Sequence, residues 1–115
     1  MSQSLDLGEL ASYMRRFSAE RDWEQFHTPK NLVMALSVEA AELVEVFQWL
    51  TPQESASLDE ANRKNASDEL ADILIYLVRL ADVLGIDLGE AVASKKRDNK
   101  TRYTVEASKG SAQKR

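Results

Sequence analysis

Two pairs of carboxylates stand out in the sequence, Glu39 with Glu42 and Glu69 with Asp72. The members of each pair are three positions apart, a spacing that puts both side chains on one face of a helix. No Lys or Arg occurs over residues 31–62, so local cations do not neutralise the first pair. Ionised carboxylates inside a packed protein repel one another and lose hydration. Mg²⁺ relieves that cost, because it takes oxygen ligands and shares its shell with substrate phosphates.

The acids have two other interpretations. The first is a solvated helix face or a set of buried salt bridges, which the shortage of nearby Lys and Arg weakens. The second is a di-iron bundle, which requires Glu-x-x-His motifs on two helices. The one histidine, His27, lies outside both acidic segments, and we interpret it as a structural hydrogen-bonding residue, with catalysis the alternative. The absence of Cys excludes disulfides, thiolate metal sites and a cysteine nucleophile.

The charge is unevenly distributed along the chain. Residues 1–93 hold 7 Lys and Arg against 17 Asp and Glu, whereas residues 94–115 hold 8 against 2. The acidic body argues against binding to a nucleic acid duplex, which needs many cations spread over one face. The basic end either binds an anionic ligand or is a solvated, frayed terminus.

The elements that must position the carboxylates are helical. Apolar residues recur at helical spacing, and capping residues precede the runs: Thr28-Pro29, Thr51 with Glu54, Ser57 with Glu60, and Asp87 with Glu90. Gly85 is a C-terminal cap. These signals predict helices over residues 5–21, 29–50, 57–84 and 87–98, a short helical turn over 52–57, and irregular chain beyond residue 98. The expected fold is therefore an all-α, four-helix-type bundle.

The second and the longest predicted helices are apolar on more than one side. Such helices must be buried nearly all round, and a lone chain of 115 residues cannot easily bury two of them. We therefore predict a homo-oligomer with these helices at the interface.

Length and hydropathy set the remaining expectations. The chain has the size of about one domain. The N-terminal residues do not resemble a signal peptide, and no apolar run approaches the ~20 residues of a membrane span. We expect a cytoplasmic protein without membrane contacts. It would consist of an all-α catalytic domain over residues 1–98 and a basic tail over residues 99–115 that contributes to the site or is partly disordered.

The acidic motifs and the blocks around them resemble one enzyme family. Glu39-Ala-Ala-Glu42 and Glu69-Leu-Ala-Asp72 are similar to the ExxE…ExxD signature of the MazG-like nucleoside triphosphate pyrophosphohydrolases. Four further blocks resemble its dCTP pyrophosphatase branch, at residues 21–32, 47–49, 72–77 and 95–103. The resemblance covers about residues 8–112.

This resemblance implies an all-α fold, Mg²⁺ dependence, and a homodimer or a dimer of dimers. It also implies cleavage of a deoxynucleoside triphosphate (dNTP), dCTP or a modified pyrimidine dNTP, between the α and β phosphorus atoms, in nucleotide-pool cleansing. By motif match Glu39, Glu42, Glu69 and Asp72 are the metal ligands. Trp23, Trp49 and Tyr76 match the base pocket, and Lys95, Asn99, Arg102 and Tyr103 match a block near the phosphates.

The sequence departs from the family at two positions. Val38 stands where the broader family often has an acid. Met14 aligns with a histidine that contacts the base in the dCTP branch, so the same chemistry on purine or damaged dNTPs is one alternative. A second alternative is a non-catalytic helical dimerisation module.

If the protein is an enzyme, the metal lowers the pKa of the attacking water, and Glu39 or Glu42 orients or deprotonates that water.

Overall fold

The structure, a computed structural model, describes residues 3–115, and all regular secondary structure in them is helical. The prediction of an all-α fold is confirmed. No helix within this part of the chain has the length and hydropathy needed to cross a membrane. The elements are α1 (Leu7–Glu20), a 3₁₀ turn (Glu24–Phe26), α2 (Pro29–Phe47), α3 (Pro52–Ser55), α4 (Glu60–Leu84), α5 (Leu88–Arg102) and α6 (Val105–Ser108).

Most helix boundaries follow from local capping. Thr28 accepts a hydrogen bond from the Asn31 amide at 3.2 Å, and Pro29 begins α2. Thr51 and Glu54 form a reciprocal capping box at the start of α3. Gly85 ends α4 with a φ of 69°, a left-handed conformation that a residue without a Cβ adopts at little cost. These caps confirm the breaks expected at the same places.

The start of α4 differs from the prediction. Asp59, rather than Ser57, is the N-cap, because its Oδ1 accepts the Asn62 amide at 2.7 Å. Aspartate is as good an N-cap as serine and adds a charge that favours the helix N-terminus. The helix therefore begins at Glu60.

The basic end is more ordered than predicted. Helix α5 continues past residue 98 to Arg102, and the short helix α6 follows in the stretch expected to be irregular. Lys100 and Arg102 occupy the last turn of α5, where cations are favoured by the helix dipole. Thr104 caps α6 by accepting the Ala107 amide. The spacing of apolar residues does not predict these helical turns, because charge and capping define them rather than apolar packing.

The chain divides into two compact units, one ending at Gly85 and the other comprising Ile86–Arg115. In the first unit α4 packs along α2 and also contacts α1. The buried apolar residues of this unit are Leu32 on α2 with Ala66, Val78 and Ala81 on α4. This small core sets the distance between α2 and α4, the two helices that carry the acidic pairs.

Many apolar side chains of the two acidic helices remain exposed in the single chain. Val33, Met34 and Val38 on α2 are 50%, 57% and 54% exposed, and Leu70 on α4 is 57% exposed. A single chain thus leaves these helices partly uncovered, as expected from its length, and their burial in a homo-oligomer stays a prediction.

The corrected cap of α4 can be tested by substitution. We expect Asp59→Ala to lower the free energy of unfolding by ~1 kcal/mol, because the Asn62 amide loses its acceptor. Ser57→Ala is the matched control, and it should change stability by less than about 0.5 kcal/mol, as ordinary surface substitutions do. Urea denaturation of both variants measures the difference. Equal losses in the two would restore Ser57 as a capping residue.

Candidate metal centre

The two predicted carboxylate pairs meet where α2 packs along α4. Glu39 on α2 and Glu69 and Asp72 on α4 each direct one carboxylate oxygen to a common point, with these oxygens all within 4.8 Å of one another. Glu39 and Glu69 are half-buried, whereas Asp72 is exposed. The structure thus brings together three of the four predicted metal ligands. Glu42, one turn after Glu39, is exposed and lines a cleft together with Glu69.

Crowding of negative charge perturbs Glu69 in particular. The pKa of Glu69 is raised from 4.5 to about 7, chiefly by a hydrogen bond with Glu39 that the protonated form makes. Burial adds to this rise, as do a hydrogen bond and charge repulsion from Glu42 and charge repulsion from Glu39. A strongly raised pKa in a group of carboxylates is characteristic of sites that exchange protons or bind cations.

The protein itself leaves this charge uncompensated. Glu39 Oε2 and Glu69 Oε2 are both enclosed and have no hydrogen-bond partner among the described residues. The ion pairs of residues 3–115 lie elsewhere, and Lys64 on α4 binds Asp68 rather than the cluster. Enclosed oxygens without donors, in an all-carboxylate set, fit a hard divalent cation. Glu39, Glu69 and Asp72 are the residues that would hold it, with Glu42 beside them.

An open cleft of about 410 Å³ adjoins the cluster. Its lining includes four residues outside the predicted site: Glu45 and Val46 on α2, and Asn62 and Asn65 on α4. The sequence carries a signal for the two asparagines, since residues 62, 65, 69 and 72 follow a helical spacing of three, four and three. Amide groups there offer both donors and acceptors to a ligand in the cleft.

The predicted base-pocket residues lie on several elements of the first unit. Trp23 lies in the loop between α1 and α2 and is 42% exposed, and its ring packs edge-on against Phe17 at 5.6 Å. Trp49 follows the end of α2 and is 86% exposed. Tyr76 on α4 and Met14 on α1 are half-buried. Within residues 3–115, Trp49 and Tyr76 take part in no aromatic pair, and a common pocket of these residues stays a prediction.

The predicted phosphate-binding residues belong to the second unit. Lys95, Asn99 and Arg102 lie on α5 at spacings of four and three, which puts them on one helix face. Tyr103 follows as the C-cap of α5, and its hydroxyl accepts the Arg115 amide at 3.0 Å. The geometry therefore groups these residues with one another. Their role toward phosphate stays a prediction.

A protein of this kind, all-helical with a carboxylate cluster between two packed helices, has recognisable relatives. The model of the MazG-like family matches residues 34–115, which include every predicted metal ligand. The crystal structure of a pyrophosphatase from Archaeoglobus fulgidus DSM 4304 superimposes with a TM-score of 0.80 and 38% identity. That match covers 90% of this chain and 97% of the archaeal one. The chain belongs to the MazG-like family.

Curated relatives point to one branch of this family. Over 98 residues the chain is 50% identical to dCTP pyrophosphatase 1 of Bos taurus, covering 84% of this chain and 58% of that protein. The identity to dCTP pyrophosphatase 1 of Homo sapiens is 47% over 100 residues, covering 85% and 59%. The chain therefore spans less than two thirds of the length of these relatives. The predicted resemblance to the family and to this branch is confirmed.

The raised pKa of Glu69 leads to a testable dependence of stability on pH. Because the fold favours protonated Glu69, this contribution to stability is present below pH 4.5 and is lost as the pH rises through about 7. In EDTA, Glu69→Gln should therefore have a higher Tm than the wild type at pH 8, with a smaller difference at pH 5. Addition of Mg²⁺ should raise the Tm of the wild type more than that of the variant.

Asp68→Asn is the matched control for this experiment. Asp68 precedes Glu69 on α4 but pairs with Lys64 outside the cluster. Its substitution removes one negative charge without relieving the crowding, so the response to Mg²⁺ should be retained. A Glu69→Gln protein whose Tm is no higher at pH 8, while its response to Mg²⁺ equals that of the wild type, would contradict the assignment.

Proposed function

We propose that the chain is a Mg²⁺-dependent nucleoside triphosphate pyrophosphohydrolase that converts a dNTP to the dNMP and pyrophosphate. The observation that carries the proposal is the enclosed, donor-free pair of oxygens on Glu39 and Glu69 inside a carboxylate cluster. The names of the curated relatives support the choice of reaction and of dCTP or a modified pyrimidine dNTP as substrate.

The cation-binding part of the mechanism rests on four carboxylates. Glu39, Glu42, Glu69 and Asp72 would hold the metal, and a bound Mg²⁺ supplies the positive charge that the oxygens of a triphosphate require. Oxygens of three of them, Glu39, Glu69 and Asp72, lie within 4.8 Å of one another where α2 packs along α4, so these three are preorganised. Ligation would also replace the hydrogen bond with Glu39 and relieve the charge repulsion, which both raise the pKa of Glu69.

The attack on the phosphorus requires a base that receives a proton from water. Glu39 and Glu42 are the candidates, as neither pairs with a cation of the chain within the described residues. A carboxylate at hydrogen-bond distance from the attacking water can orient it and accept its proton. Water attack on the α phosphorus breaks the bond to the bridging oxygen, and pyrophosphate leaves with that oxygen.

The resemblance to the family also implies roles for two other sets of side chains, one toward the phosphates and one toward the base. Lys95, Asn99, Arg102 and Tyr103 provide cationic and hydrogen-bonding groups of the kind that stabilise a leaving pyrophosphate. Trp23, Trp49 and Tyr76 provide rings for stacking the base, an interaction worth ~1–3 kcal/mol per base. Met14 adds an apolar contact and no hydrogen bond, so selectivity for cytosine would depend on other groups.

Turnover of a nucleotide panel tests this function. Purified protein should release pyrophosphate from a pyrimidine dNTP with Mg²⁺ and not with EDTA. Asp72→Ala should lower kcat by on the order of 10²–10³-fold, the loss typical of removing one preorganised group that stabilises charge in the transition state. Asp68→Asn, outside the cluster, should retain the wild-type rate.

The panel also separates the alternatives. Preferential turnover of purine or damaged dNTPs would keep the chemistry and change the substrate. No release from any nucleotide, in a folded protein, would contradict the enzymatic proposal and favour a non-catalytic helical module. Full activity in Asp72→Ala would contradict the metal-ligand assignment alone.

We further propose that the chain associates with itself, as a homodimer or a dimer of dimers, through the exposed apolar faces of α2 and α4. Val33, Met34, Val38 and Leu70 are each at least half exposed, and exposed apolar surface is typical of association sites where it forms a patch. A second copy of the chain presents the same apolar surface, so it can cover these faces without another partner. We expect no membrane and no nucleic acid partner.

Analytical ultracentrifugation tests the proposed association. The wild type should sediment as a dimer or tetramer at micromolar concentration. Val38→Glu, which places a charge on the exposed face of α2, should shift the protein toward the monomer and lower its Tm. Glu20→Lys changes charge at an exposed position at the end of α1 and should leave the assembly intact. A monomeric wild type would contradict the proposal.

A further inference from the structure

A second polar cluster of the first unit is built around a buried arginine. The side chain of Arg79 on α4 is only 6% exposed. Its Nε donates a hydrogen bond to Nδ1 of His27 at 3.0 Å, and its Nη1 lies 3.5 Å from Asp82 Oδ2. This contact joins residues 52 positions apart in the sequence. Because His27 lies in the loop between α1 and α2, the contact anchors that loop on α4.

The contact requires an uncharged histidine. A guanidinium remains protonated in proteins, so Nε of Arg79 is always a donor. Nδ1 of His27 must then be the acceptor, and the neutral ring carries its proton on Nε2. Burial lowers the pKa of His27 below its ordinary value of 6.5, and the charge of Arg79 lowers it further. A proton on Nδ1 would replace an attractive contact with two opposed N–H groups.

The loop that contains His27 also holds Trp23 in place. The His27 amide donates to the Trp23 carbonyl at 3.2 Å, and the Trp23 amide donates to the Ser18 carbonyl at 2.9 Å. The Trp23 ring is close to the rings of both Phe17 and His27, at centroid distances of 5.6 and 6.2 Å. Ser18 is fully buried, and its Oγ is 3.4 Å from Nδ1 of His27. The imidazole is therefore the common neighbour of Trp23, Ser18 and Arg79.

We propose that His27 is a positioning residue: as the neutral acceptor for Arg79 it locks the loop so that Trp23 presents its exposed face to the substrate base. The clause about the base rests on the function proposed above, whereas the lock on Trp23 does not. His27 acts through Trp23 and takes no part in the chemical step.

The charges around His27 make the lock sensitive to acid. Arg79 faces the ring from α4, and the one acid close to that guanidinium is Asp82. Asp82 is already engaged by Arg15 of α1, through contacts of 2.6 and 3.0 Å that lower the pKa of Asp82. From the loop itself, Arg21, Asp22 and Glu24 are exposed, and Arg21 stacks on Phe17. A protonated His27 would therefore meet a like charge without an acid free to balance it, and the Arg79 contact would break.

Fluorescence of Trp23 tests the lock independently of activity. In a Trp49→Phe background Trp23 is the sole tryptophan, and its quenching by acrylamide reports its exposure. Quenching should increase as the pH falls below 6.5. The step should vanish when His27→Asn is added, because the amide oxygen accepts from Arg79 at the position of Nδ1 but does not titrate. A change in quenching caused by Glu69 would persist in His27→Asn, so its persistence there would overturn the proposal. The absence of any pH-dependent change in quenching would also overturn it.

Kinetics in the wild-type background test the consequence for substrate. His27→Ala should raise KM for the preferred dNTP roughly tenfold with little change in kcat, as expected when stacking on one ring is weakened. His27→Asn should restore KM, and both variants should keep the rise in Tm with Mg²⁺. An unchanged KM in a folded His27→Ala protein would overturn the role toward the base.

The failures of the two proposals are distinguishable. A wild type that hydrolyses no dNTP contradicts the proposed function, while the pH step of Trp23 still decides the lock. If His27→Ala fails to fold, the titration of the wild-type loop and its loss in His27→Asn still support or overturn the inference.

Discussion

Repulsion between carboxylates along the contact of α2 with α4 is the constraint on which the rest of the molecule depends. The small core of Leu32, Val78 and two alanines holds these helices close. That packing forces oxygens of Glu39, Glu69 and Asp72 within 4.8 Å of one another. The hydrogen bond with Glu39, burial and the charge of Glu42 raise the pKa of Glu69 to about 7. A bound cation would relieve the repulsion, so packing and the proposed cation binding would be energetically linked.

The two polar clusters of the first unit differ in whether their charged groups have partners within the chain. Around Arg79 the charges find partners within the chain: His27 accepts one hydrogen bond, and Asp82 is shared with Arg15. Around Glu69 they do not, and two carboxylate oxygens stay without a donor. Buried charged groups whose partners all lie within the protein have a structural role, whereas buried charged groups without partners indicate a ligand site. Both clusters include residues of α4, which thus connects the carboxylate cluster with the loop of Trp23.

The length of α4 and the small volume of the core explain the exposed apolar faces. A chain of this size buries few large side chains. Over residues 3–115, the large apolar side chains that fall to 2% exposure are Leu32 and Val78. Val33, Met34, Val38 and Leu70 are left outward. The same two helices that supply the proposed metal ligands therefore supply the apolar surface for the proposed self-association. Assembly and site would share one scaffold.

Local signals in the sequence determined much of this protein. The caps at Thr28, Thr51 and Gly85 and the helical spacing of Glu39 with Glu42 and of Glu69 with Asp72 act over three or four residues, and the structure has the expected helices there. The prediction of Ser57 as the N-cap of α4 was wrong. Ser57 and Asp59 are both suitable capping residues two positions apart, and in the structure Asp59 accepts the capping hydrogen bond.

Only the tertiary structure decided which distant groups meet. Nothing local to His27 indicates that it accepts a hydrogen bond from Arg79, 52 positions away, or that it must be neutral. The position of Asn62 and Asn65 in the cleft likewise depends on how α4 lies against α2. Spacing along a helix determines which side chains share a face, whereas the packing of helices determines what that face meets. The raised pKa of Glu69 depends on this packing, because Glu39 and Glu42, which raise it together with burial, lie on another helix.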